Sequence, residues 1–138
     1  MNKTLAILKP DCVERKLTGK ALDFILAQGF NILALKMVHL NPAEARRFYA
    51  VHEGKPFFDE LINFMTSGPC IPLVLEKENA VFAFREIIGA TDPAKAAKDT
   101  LRKLYAESVQ RNVVHGSDSE ENAQKEIAFF FSLMEITP

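Results

Sequence analysis

Thr4-Leu5-Ala6-Ile7-Leu8, followed at once by Lys9-Pro10-Asp11, is the stretch on which the architecture turns. Both faces of the five-residue run are apolar, and Pro10 cannot continue a ladder, so the run predicts a buried central strand ending at Leu8. Downstream, Thr18 and Gly19 open a helical pattern with Leu22, Ile25 and Leu26 on one face, stopped by Gly29. A second strand is predicted over 31–40, where Leu33, Leu35 and Met37 alternate with Ala34 and Lys36. Asn41-Pro42 suits a helix start, because Asn caps and Pro is tolerated at the first helical position.

Two helices follow, one over 43–50 and one carrying Phe58, Leu61, Ile62 and Met65 ahead of Gly68-Pro69. A third strand spans 71–75, where Pro72 predicts an edge or a bulge. Asn79 is expected to cap a helix running through Phe84, Ile87 and Ile88 to Gly89. A shorter helix over 94–105, a short strand over 112–115 and a last helix over 119–131 complete the chain. In the last helix Ala123, Ile127, Phe130 and Met134 share a helical spacing. The order predicts an α/β (α+β) fold: a ferredoxin-like βαββαβ antiparallel sheet with helices covering one face. No linker or repeat divides the 138 residues, so one domain over 1–138 is expected.

Composition narrows the function. Lys plus Arg number 17 against 18 Asp plus Glu, a net charge of −1, which excludes a broad basic surface for sequence-independent nucleic-acid binding. No apolar run approaches the length of a membrane span. Cys12 and Cys70 are too few for a disulfide framework and no leader is recognisable before the first strand, so a reduced, cytoplasmic setting is expected.

Chemistry concentrates at Asn112-Val113-Val114-His115-Gly116-Ser117-Asp118-Ser119. Two β-branched residues deliver His115 to a strand end, Gly116 permits close approach, and Ser and Asp residues open a helix whose free N–H groups suit an anion. An imidazole there could act as nucleophile, base or metal ligand; the competing reading is a capped turn with a solvent-facing histidine. His39 and His52 read as surface or core-edge residues. No zinc spacing and no glycine-rich phosphate loop occurs, so a bound nucleotide would need side chains for its phosphates. Lys9, Arg85 and Arg102, with Thr91 between the arginines, are the candidates, although each alone is commonly a solvated cation. Asp118, Glu120 and Glu121 read as first-turn acids that favour the helix dipole, with no protein metal site expected.

The stretch NVVHGSDS resembles the active-site signature of nucleoside diphosphate kinases. TLAILKPDCV, FYAVHEGKPFF, SGPCIPLVLEKENAV, REIIGATDPA and TLRKLYAES also fit that family, in order and over nearly the whole chain. The resemblance implies an enzyme that moves the γ-phosphoryl group of a nucleoside triphosphate, mainly ATP, to a nucleoside diphosphate. Transfer would be ping-pong through a phosphohistidine on Nδ1 of His115, maintaining NTP and dNTP pools. It further implies that Glu126 and Ser117 orient the His115 ring and that Lys9 assists catalysis. Lys9, Tyr49, Arg85, Thr91, Arg102 and Asn112 would line phosphates and ribose, while Phe57 and Val109 sandwich the base with little selectivity. Mg2+ held by phosphates and water is the implied cofactor, and a homotetramer or homohexamer built from dimers is the implied assembly. No membrane and no specific nucleic acid are expected as partners. A phosphocarrier would also need His115 but not the clamping set, and a noncatalytic binding module on the same fold would need neither.

Overall fold

Residues 2–137 are described by the computed structural model. In chain order the elements are β1 (Lys3–Leu8), α1 (Pro10–Glu14), α2 (Thr18–Ala27), β2 (Asn31–Leu35), α3 (Pro42–Phe48), α4 (Phe58–Met65) and β3 (Ile71–Glu76). They continue with α5 (Ala80–Ile88), α6 (Leu101–Tyr105), β4 (Val114–Gly116) and α7 (Glu120–Phe130). Single 3-10 turns lie at Ala50–His52, Pro93–Lys95 and Leu133–Glu135. The four strands form one antiparallel sheet in the order β2-β3-β1-β4, the arrangement of a ferredoxin-like α/β fold.

β1 is central, as its apolar run predicts: it pairs along its whole length with β3 and at Ala6–Leu8 with β4. Alternate side chains of a strand leave by opposite faces. Leu5 and Ile7 therefore enter one cluster with Ala45, Phe58, Ile62, Met65 and Phe130, whereas Ala6 and Leu8 enter another with Ala21, Ile25, Phe84, Ile88 and Leu101. The sheet is thus covered on both faces, by α3, α4 and α7 on one side and by α2, α5 and α6 on the other, where the element order alone predicts one. Each fully buried aliphatic contributes roughly 1.5–3 kcal/mol of transfer free energy, so a strand apolar on both faces is stable only as the middle layer.

Several boundaries differ from those predicted, each for a local reason. Pro10 begins α1, standing at its first turn, where proline's missing N–H costs nothing. β2 ends at Leu35 and not Leu40, and only an isolated Val38–Cys70 bridge continues it. Pro72, which lies inside central β3 and at no edge, accounts for this. Its carbonyl accepts the Lys36 N–H from the β2 side, and the same side of Pro72 has no N–H to return. The sheet's irregularity sits in β2 instead, between Ile32 and Ala34. Asn79 occupies the start of α5 but its side chain caps nothing: the residue is left-handed at φ 53° and its N–H reaches Asn2 Oδ1.

The predicted 94–105 helix is split. Asp92 caps the Pro93–Lys95 turn, Asp99 takes φ 67°, and Thr100 caps a fresh helix by accepting from Lys103 N–H. β4 begins at Val114 because Val113 has φ 76°, which no ladder residue adopts. Met134 leaves the α7 spacing altogether: Phe131 is extended, Ser132 and Glu135 form a new capping box, and Met134 is solvent-exposed.

Candidate active site

β4 carries His115 opposite Ile7 of β1, and α7, packed on the same face of the sheet as Ile7, meets it. His115 Nε2 lies 2.8 Å from Glu126 Oε1. The Ser117 hydroxyl donates to the same carboxylate oxygen at 2.7 Å, and Ser117 is fully buried beside Leu5, whose N–H approaches its Oγ. A carboxylate oxygen accepts, so this contact suits a ring that carries a hydrogen on Nε2. The His115 side chain retains about 20% exposure, and the Phe48 ring meets it edge-on at 5.7 Å.

Around this histidine the chain gathers cations that are distant in sequence. Lys9, at the end of β1, is buried and its Nζ donates to Asn112 Oδ1 at 2.8 Å. Burial, and then the neighbouring Arg102, hold the Lys9 ammonium down to about 8, while Asp11 pulls the other way. Arg102 is buried as well, donating to the Gly89 carbonyl at 2.9 Å and to the Val114 carbonyl at 2.8 Å. Burial and the adjacent Arg85 lower it to about 10. Its Nε is buried without a partner among the described residues, a donor that an anion would satisfy. Arg85, on α5, donates to the Gly116 carbonyl at 3.3 Å. Arg85, Gly89, Thr91, Lys95, Thr100 and Arg102 line a cleft of about 340 Å³. Thr91 joins the network through its carbonyl, which accepts from Asn112 Nδ2 at 3.3 Å.

Tyr49 is buried, with its hydroxyl unpartnered among the described residues; burial, then the Cys70 thiol and the Glu126 carboxylate, push its ionisation well above the usual phenol range. Phe57 and Val109 are both exposed, on separate loops. His52 lies beside Phe57 and Tyr49: its ring is 5.4 Å from Phe57 and 6.4 Å from Tyr49, and its Nδ1 is 3.1 Å from Lys55 Nζ. Partial burial, Lys55 and His115 hold His52 below its ordinary value against the opposing Asp118. His52 is half-buried, in keeping with the surface or core-edge setting expected of it. Asp11 is a residue that the sequence does not single out. It is fully buried, its Oδ2 accepts the Val113 N–H at 3.1 Å, and burial raises its carboxyl above the ordinary value. His39, by contrast, is spent on the Thr66 carbonyl. Among the described residues no cluster of three His, Cys, Asp or Glu side chains could hold a metal ion.

Lys9, Arg85 and Arg102 thus all bond to the 112–116 segment that carries His115, an arrangement suited to an anion. The family model for nucleoside diphosphate kinase matches residues 2–136, and the chain belongs to that family. It is 58% identical over 135 residues to the nucleoside diphosphate kinase of Chloroherpeton thalassium, covering 98% of this chain and 96% of that one. The Salinibacter ruber nucleoside diphosphate kinase is likewise 58% identical over 134 residues, covering 97% and 94%. Among solved structures, the Aquifex aeolicus nucleoside diphosphate kinase superimposes with a TM-score of 0.96 at 46% identity over 99% of both chains. The Halobacterium salinarum nucleoside diphosphate kinase in complex with CDP gives 0.95 at 36% identity, over 100% of this chain and 93% of that one.

Proposed function

We propose that residues 1–138 act as one catalytic domain that passes the γ-phosphoryl group of a nucleoside triphosphate, mainly ATP, to a nucleoside diphosphate through a phosphohistidine on Nδ1 of His115. The observation that carries the reading is the 2.8 Å contact between His115 Nε2 and Glu126, which occupies one ring nitrogen and frees the other. In the first half-reaction the Nδ1 lone pair forms a bond to the γ-phosphorus, and the bond to the bridging oxygen breaks, releasing the diphosphate. The second half-reaction reverses this toward the acceptor diphosphate. Through both, the Nε2 proton stays on the ring, where Glu126 and Ser117 stabilise the added positive charge.

Such transfers rely mostly on positioning and charge. Lys9, Arg85 and Arg102 supply charge to the phosphates, with Thr91, Asn112 and Tyr49 lining phosphates and ribose. Magnesium would be held by the nucleotide's phosphates and by water, and would add to the charge that Lys9, Arg85 and Arg102 offer the phosphates. Phe57 and Val109 offer apolar surface and no hydrogen-bonding edge to a base, so selectivity is low and the enzyme serves NTP and dNTP pools in the cytoplasm. Assembly into a homotetramer or homohexamer of dimers belongs to the same reading; exposed Leu26, Leu35 and Met37 are apolar surface available to it.

The test is to incubate the protein with γ-labelled ATP and Mg2+ and then add unlabelled GDP. Acid-labile, alkali-stable label should appear on the protein and chase into GTP. Normal labelling of His115→Ala would show that the nucleophile is another residue.

A further inference from the structure

The Val114 N–H donates to the Asn112 carbonyl at 2.8 Å, closing a three-residue turn centred on Val113 at φ 76°. This is a γ-turn of the rare, strained hand, and a β-branched residue is the least suited to occupy it. The Val113 side chain is fully buried, packed in the cluster that contains Leu8, Phe84 and Leu101, so the residue cannot swing out to relax. What opposes relaxation of the backbone comes from one segment. The Lys9 N–H donates to the Val113 carbonyl at 2.8 Å, and Asp11 Oδ2 accepts the Val113 N–H at 3.1 Å. Asp11 is wholly buried and is no part of the cleft lining; its Oδ1 has no partner among the described residues. Burying a carboxylate with one oxygen unpartnered is costly, and a carboxylate kept on such terms calls for a reason beyond packing.

The turn supplies that reason. Its first residue, Asn112, accepts from Lys9 Nζ and donates to the Thr91 carbonyl; its last, Val114, receives Arg102 on its carbonyl and leads directly to His115. Relaxing Val113 to a negative φ would turn the Asn112 side chain away from Lys9 and shift the start of β4. We propose that Asp11 is a positioning residue, whose Oδ2 clamps the Val113 N–H and so holds the strained turn that sets Asn112 and His115 in register with Lys9 and Arg102. The assignment rests on His115 being the nucleophile. It differs from a general packing role in being specific to one amide and to the sign of one backbone angle.

Glycine in place of Val113 accepts a positive φ without strain and so has no need of the clamp. Single-turnover uptake of γ-label and ADP affinity are measured for wild type, Asp11→Ala, Asp11→Asn, Val113→Gly and the Asp11→Ala/Val113→Gly double variant, with folding followed by circular dichroism. Asp11→Ala should slow label uptake about 10- to 100-fold, a loss typical of removing a partner that orients a reacting group, with a smaller change in ADP affinity. Asp11→Asn, which keeps an acceptor oxygen, should lose only severalfold. In the Val113→Gly background, Asp11→Ala should cost far less than in wild type. Equal costs in both backgrounds, or an Asn variant as slow as the Ala variant, would overturn the assignment. If Asp11→Ala does not fold, the Asp11→Asn cost is compared between the wild-type and Val113→Gly backgrounds, and equality again overturns it. Failure of wild type itself to take up label would instead count against the phosphohistidine reading.

Discussion

Lys9 is buried between Arg102 and Asp11, and its ammonium is held down to about 8, first by burial and then by Arg102. Between that value and the ordinary lysine value of 10.5, the unfolded chain holds a proton the folded chain has released. Stability from this group therefore rises with pH across that window, while below it both states are protonated and the burial cost is present in full. Phosphate favours the charged form, so nucleotide binding should draw the lost proton back. Titration of ADP with Mg2+ near pH 8.5, in buffers of different ionisation enthalpy, should reveal net proton uptake, and Lys9→Gln should abolish it. Uptake unchanged in that variant would mean that another group is titrating. The strand-end setting of His115 was legible in the sequence, which by itself left open whether the imidazole is nucleophile, base or metal ligand. The partnership of Lys9 with Asn112 was not, because the two are 103 positions apart and only the β1–β4 pairing brings them together.

At the scale of elements, two glycines decide how closely α5 approaches the sheet and where it stops. A Cβ on Gly116 would stand 2.9 Å from Phe84 Cδ2 and 3.1 Å from Ile88 Cδ1, both buried side chains of α5. Gly116→Ala should therefore push α5 outward, costing about 1–3 kcal/mol by overpacking, measurable by urea unfolding. Because Arg85 rides on α5 and donates to the Gly116 carbonyl, ADP affinity should fall in the same variant. Loss of stability with affinity unchanged would show that the helix position does not matter to binding. Gly89 closes α5 at φ 87°, and its carbonyl receives Arg102, so the helix stop and an arginine anchor coincide. Strong periodicity made α2, α4, α5 and α7 readable from their apolar spacing. α1 was not readable, because Lys9-Pro10-Asp11 serves equally as a strand stop and a helix start, and proline suits both. Nor was the turn at Val113, since β-branched residues favour extended backbone and only tertiary contacts hold this one elsewhere.

Across the whole molecule, a net charge of −1 coexists with Lys9, Arg85 and Arg102 drawn into one region. Lys9 and Arg102 are buried there; buried like charges repel and are poorly solvated, so the nucleotide-free protein holds unfavourable energy that an anion relieves. A ligand that binds only the folded state stabilises by mass action, about 2.7 kcal/mol at a hundred times Kd. ADP with Mg2+ at that excess should raise Tm by roughly 5–15 °C, and Arg102→Met should shrink the shift while raising the Tm of the free protein. A free-protein Tm that falls would show that the arginine's carbonyl contacts outweigh its burial cost.

Arg102 is fastened to the carbonyls of Gly89 and Val114, and Arg85 to that of Gly116. Every residue offers a carbonyl whatever its side chain, so substitutions around these anchors leave the acceptors standing. The charge-bearing scaffold is thereby insulated against side-chain drift. A sequence can wander far while the fold keeps its acceptors, as the 0.95 superposition at 36% identity illustrates for the backbone. Vulnerability lies instead in changes that displace main chain, which makes insertions, prolines and glycine replacements the mutations to which this enzyme is least tolerant.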